Sequence, residues 1–202
     1  VGTAKYILWL HDGQLTQFRT AAIGVEVILG YLTFTGSLMA AGKLQELLPG
    51  RPITYWGQNT SNFVLLGLMI TSFIYLIVAP TTSVLFYLLV GLAMLFGFLL
   101  VIPIGAADMP VVISLLNSYA GLADAAMGFV LMNKIQIITG SLDGTSGFLL
   151  SLLMCRAMNR SAFNVLFGAF GKVASEDEAA KAAAERGTVR NIAEGAEQHI
   201  EG

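Results

Sequence analysis

From Ser61 to Ala107 the chain has no Asp, Glu, Lys or Arg. An α-helix crosses a hydrocarbon layer of roughly 30 Å with ~20 predominantly apolar residues, so this one run is long enough for two crossings. The remaining composition agrees: 55% of residues are hydrophobic, 12% are charged, mean hydropathy is +0.73, and much of the charge is gathered beyond Ser175. The pattern specifies an all-α membrane protein, a bundle of about five transmembrane helices with a short charged helical tail.

Apolar density places the spans at about 20 to 42, 62 to 79, 83 to 104, 111 to 132 and 135 to 157. Residues 1–19 form a leading segment too mixed to span, 20–160 the transmembrane domain, and 161–202 a linker. The breaks have the chemistry of turns: Pro80 before Thr81, Thr82 and Ser83, Gly105 to Pro110 with Pro near a helix start, and Asn133-Lys134 closing a hairpin. Val1 in place of Met, with no cleavable-signal architecture, suggests a beginning that is missing or processed. Lys43, Arg51, Arg156, Arg160 and Lys172 fall on one face of a five-span layout and Lys5, Arg19 and Lys134 on the other, which puts the tail and Asp108 on the cytoplasmic or matrix side.

Several chemistries have no basis in these residues. Cys155 is the only cysteine, and His11 and His199 lie outside the spans, so no metal-ligand spacing or catalytic dyad is formed. No glycine-rich phosphate loop follows a strand-like segment, and a net charge of -2 offers no face for nucleic acid.

What remains is polarity inside apolar helices, where an unpaired polar group costs several kcal/mol and marks a partner helix or a wet cavity. At about 100° per residue, Ser114, Asn117, Gly121, Asp124 and Gly128 share one face of the fourth span. The fifth repeats this with Gln136, Thr139, Gly140, Asp143, Ser146 and Gly147, and the first with Glu26, Gly30, Thr33 and Ser37. Asp124 and Asp143 are equidistant from the Asn133-Lys134 turn and are expected at matched depth, where two close carboxyls would share an exchangeable proton. The expectation is an acidic cluster of Glu26, Asp124 and Asp143, continued by Asn117 and Ser114 toward Asp108. The structural alternative is that these groups bond across helices, and that Gly140 with Gly144 only permits close packing.

The run Gly105-Ala-Ala-Asp-Met-Pro-Val-Val-Ile-Ser-Leu-Leu-Asn-Ser-Tyr-Ala-Gly121, with Ile138-Thr-Gly-Ser-Leu-Asp-Gly-Thr-Ser-Gly147 and Met154-Cys-Arg-Ala-Met-Asn-Arg-Ser161, closely resembles the membrane domain of the beta subunit of proton-translocating nicotinamide nucleotide transhydrogenase. Thr33 to Ser37, Gly42-Lys-Leu44 and Arg51-Pro52 extend the likeness. The resemblance implies proton translocation coupled to hydride transfer from NADH to NADP+. Asn117 would line the proton path, Asp108 would sit in the loop facing the NADP(H) domain, and Ser141, Gly144 and Gly147 would pack helices closely, as the helical spacing alone suggests for Gly121 and Gly140. It implies that no cofactor is bound by this chain, with NAD(H) and NADP(H) held by partner domains. The partners would be the lipid bilayer, the alpha subunit and the NADP-binding domain in a dimeric complex, with no nucleic acid. The home would be a bacterial inner membrane or, as the other candidate, the mitochondrial inner membrane.

Ser175-Glu-Asp-Glu178 would open a short Ala-rich helix leading to the NADP(H) domain. The sequence departs from the family pattern at Asp124 and Asp143, where small or apolar residues are usual, and at Ala106, where Gly is usual. It contains neither an NADP(H) domain nor the family helix with a proton-handling histidine, so no catalytic residue is expected in it. The other classes open to such a bundle are a secondary-transporter or ion-conduit fragment and a structural anchor.

Overall fold

The computed structural model describes residues 1–13, 15–53, 58–80 and 82–159. Within them are six α-helices: α1 (Gly2–His11), α2 (Gln17–Leu44), α3 (Gln58–Val78), α4 (Ser83–Val101), α5 (Met109–Leu131) and α6 (Lys134–Ala157). A single 3₁₀ turn, Ala106–Asp108, precedes α5. Helices α2 to α6 are each long and apolar enough to cross a membrane, α5 together with its 3₁₀ turn. The ten residues of α1 are too few for a crossing. The predicted tail helix after Ser175, with Arg160 and Lys172, lies outside the described residues.

The central element is α2, packed between α4 and α5, with α3 mainly on α4 and α6 on α5. Its buried residues, Thr20, Ile23, Val27, Leu32, Ala40 and Lys43 among them, run its whole length. Apolar side chains also cover the outside: Phe34, Leu38, Phe63, Ile74, Val84 and Leu153 are all exposed. In water such a surface would aggregate, whereas against lipid it is the expected outer face.

The helix ends follow local chemistry. Asn133 caps α6, its Oδ1 accepting from the N–H groups of Ile135 (3.2 Å) and Gln136 (3.5 Å). Met132 before it takes the left-handed conformation (φ 55°) that ends α5. Pro110 stands in the first turn of α5, where a missing N–H costs nothing. At the opposite end of the bundle from Asp108, the Tyr6 ring of α1 stacks on Phe86 (3.9 Å, 7°) and its hydroxyl donates to the carbonyl of Pro80 (2.8 Å). Burial, with Tyr87 adding in the same direction, pushes the Tyr6 phenol above its ordinary range, so it remains a donor.

Candidate functional site

Small residues bring α5 and α6 into backbone contact. A Cβ built on Gly121 would lie 2.3 Å from the amide nitrogen of Gly144, one on Gly140 2.5 Å from that of Ala125, and one on Gly147 2.9 Å from that of Ser118. Such approaches exclude any side chain and are the usual route to tight association in lipid. Two hydroxyls then bond across: Ser114 donates to the Gly147 carbonyl (2.9 Å) and Ser118 to that of Gly144 (2.6 Å).

This seam divides the predicted polar stripe. Ser114, Gly121 and Gly128 face α6, whereas Asn117 and Asp124 lie on the flank of α5 and are exposed. On α6, Gly140, Gly144 and Gly147 form the seam, while Thr139, Asp143 and Ser146 are exposed. Ser141, expected to pack in the seam, is also exposed, and its hydroxyl donates to the carbonyl of Ile137 within its own helix. The cause is angular: a residue next to Gly140 is turned about 100° from it, outside the narrow strip that touches α5.

The matched depth of the two aspartates also changes. Gly121 meets Gly144, Ala125 meets Gly140 and Gly128 meets Ile137, so Asp124 stands level with Ser141 and Asp143 with Leu122. The hairpin turns earlier than the Asn133-Lys134 midpoint because Met132 already reverses the chain. The aspartates are offset by two residues, about 3 Å along the axis.

Asp124 has other neighbours. Its Oδ1 accepts from the Nε2 of Gln136 (2.6 Å), and both line a cavity of about 300 Å³ between α2, α5 and α6 that Glu26, Gly30, Thr33 and Met127 also line. The structure thus brings Glu26 and Asp124 to one cavity and leaves Asp143 outside its lining. Among the described residues, Thr33 Oγ1 is buried without a hydrogen-bond partner, while the Glu26 carboxyl, whose Oε2 is also buried, packs against Gly2 at the start of α1, and Val1 completes the lining. Orphaned polar atoms beside a space of this size are what ordered water satisfies.

At the other end, Asp108 closes the 3₁₀ turn and immediately precedes α5. The segment leading into this turn is held by Lys43, which stands in the last turn of α2. Lys43 is 1% exposed, and its Nζ donates to the carbonyl oxygens of Val101 (3.2 Å), Ile102 and Ile104 (2.8 Å). Val101 and Ile102 close α4, where the helix dipole favours a cation, and Ile104 follows two residues on. Nothing in the sequence distinguishes this lysine from one whose stem covers apolar surface while its head reaches water.

A model of the family described as NAD(P) transhydrogenase beta subunit matches residues 1–200 of this chain. Two curated sequences named NAD(P) transhydrogenase subunit beta, both from Rhodospirillum rubrum, are each 44% identical to it over 187 residues, covering 93% of this chain and 39% of theirs. The chain therefore spans about two fifths of the length of these curated relatives.

Proposed function

Because the chain belongs to the NAD(P) transhydrogenase beta subunit family, we propose that its helical bundle is the proton-conducting part of a transhydrogenase, coupling proton translocation to hydride transfer from NADH to NADP+. The observation that supports this best is the continuity of α5. One helix starts directly after Asp108, carries Asn117 on its flank, and reaches Asp124 at the Glu26–Asp124 cavity about two turns further on.

In this reading protons enter or leave at the cavity, where Glu26, Asp124, Thr33 and Gln136 organise water, and pass Asn117 along the exposed flank of α5 toward Asp108. Asn117 and Asp143 face outward from the described helices, so the rest of the path is completed by helices of other parts of the complex. Ser114 lies beside the path and holds the seam, since its proton is committed to the Gly147 carbonyl. NAD(H) and NADP(H) are held by partner domains, the alpha subunit among them. The Asp108 turn, at the end of the bundle shared with the C-terminus of α6, faces the NADP(H) domain on the cytoplasmic or matrix side. A dimeric complex in a bacterial or mitochondrial inner membrane completes the reading.

Coupling requires that nucleotide state and proton access bias one and the same element, and the Asp108 turn with α5 is that element. In the assembled enzyme in proteoliposomes, Asp108→Asn should lower the protons moved per hydride transferred by roughly fivefold or more while the bundle stays folded. An unchanged ratio defeats the reading. Asn117→Leu and Asp124→Leu should slow proton flux, whereas a structural anchor would tolerate both with flux intact.

A further inference from the structure

Lys43 stands in the last turn of the central helix, and its side-chain hydrogen bonds reach across to the segment that leads into the Asp108 turn. Three N–H donors meet three carbonyl oxygens, so the ammonium is satisfied by backbone alone. Burying an ammonium is costly even when it is fully bonded, and a neutral apolar side chain would fill the same space at lower cost. The cation is therefore retained for what it holds.

What it holds is a laced pair of loops. The Ile102 carbonyl, already a Lys43 acceptor, also receives the N–H of Ile53 (3.4 Å), and the N–H of Ala106 donates to the Gly50 carbonyl (2.9 Å). The turn continues through the N–H of Asp108 to the Gly105 carbonyl (3.1 Å). A Cβ at Gly105 would touch Pro52 at 3.4 Å, so the loops are in direct contact as well. The Gly50–Ile53 loop continues from α2 along the chain, with the N–H of Leu48 on the Gly42 carbonyl (3.1 Å), and Lys43 adds a side-chain tie from α2 to the segment that leads into the Asp108 turn. The same helix carries Glu26 and Thr33 to the cavity at the far end.

We propose that Lys43 is a positioning residue for coupling, fixing the Asp108 turn to α2 so that displacement of the turn by a docked domain is transmitted to the central helix. The proposal rests on the transhydrogenase reading above. Replacing the ammonium by a thioether of similar reach removes one donor from each of three carbonyls, leaving Val101 and Ile102 the N–H groups of Ile104 (3.2 Å) and Ile53 (3.4 Å), and loosens the turn from α2.

The test uses the full-length subunit assembled with its partners in proteoliposomes and compares the parent with Lys43→Met. Hydride transfer between the nucleotides should persist while the protons moved per hydride fall roughly fivefold or more. Hydrogen exchange of the amides of Ile104, Ala106 and Asp108 should accelerate on the order of tenfold. A parent-like ratio and parent-like exchange overturn the proposal, and so does equal loss of hydride transfer and proton movement, which marks a merely structural part. If Lys43→Met fails to assemble, Lys43→Gln keeps N–H donors without the charge and should give an intermediate loss of coupling; full coupling there overturns the idea. If Asp108→Asn is also fully coupled, it is the transhydrogenase reading that fails. If Asp108→Asn uncouples and Lys43→Met does not, only the role of Lys43 fails.

Discussion

Gly121→Val is expected to prevent α5 and α6 from closing and to remove roughly 3 kcal/mol or more of stability, beyond the usual range for one added side chain because the obstruction is backbone. The first added carbon would stand 2.3 Å from the Gly144 nitrogen, 2.7 Å from its Cα and 2.9 Å from the Gly140 carbonyl oxygen. None of these atoms can rotate aside, so the helices must separate along the hairpin. Separation also breaks the Ser114–Gly147 and Ser118–Gly144 bonds, each worth about 0.6 kcal/mol in a membrane. The control is Gly91→Ala, where nothing lies within 4 Å, and which should be neutral or gain up to about 1 kcal/mol from helix propensity. Thermal unfolding in detergent measures both; equal midpoints for the two variants would show that the seam is not close-packed.

The seam was legible because glycine at three- and four-residue spacing has few other uses in a membrane helix, and Gly121, Gly140, Gly144 and Gly147 stand out in the sequence. The five spans were legible for the same elementary reason, that hydrocarbon admits only long apolar helices. The split of the polar face was not. Asn117 and Ser114 are one turn apart on a helical wheel, and only the position of α6 decides that the serine is sealed against a carbonyl while the amide is left on the flank. The joining of Glu26 to Asp124 could be anticipated from the acids alone, but the substitution of Gln136 for Asp143 as the aspartate's neighbour depends on a two-residue shift in the hairpin that Met132 introduces. Lys43 shows the limit most clearly. Its sequence neighbours suit a snorkelling side chain, and its three acceptors come from residues 58 to 61 positions away.

Gly97 was equally easy to pass over, since α4 has no polar stripe and only Ala93 pairs with it at four-residue spacing, yet Gly97→Val is expected to have the second large effect. At the crossing of α2 and α4, a Cβ on Gly97 would lie 2.3 Å from Thr35 Oγ1, 2.4 Å from the Leu32 carbonyl oxygen and 2.9 Å from the Leu32 Cα. The threonine could rotate, giving up its bonds to the carbonyls of Tyr31 (3.0 Å) and Leu32 (3.3 Å), but the backbone of Leu32 cannot. A loss of about 3 kcal/mol follows, against less for Gly36→Ala, whose Cβ meets side-chain ends, Leu116 at 3.0 Å and Val101 at 3.4 Å, and no backbone among its nearest atoms. Gly97 also sits one turn before Val101, whose carbonyl Lys43 grips, so widening this crossing pulls the lysine from its acceptors. Gly97→Val should therefore lower both the unfolding midpoint and, in whatever fraction assembles, the protons moved per hydride, whereas Gly121→Val spares the Lys43 contacts. Finding normal coupling in assembled Gly97→Val would separate the α2–α4 crossing from the control of the Asp108 turn.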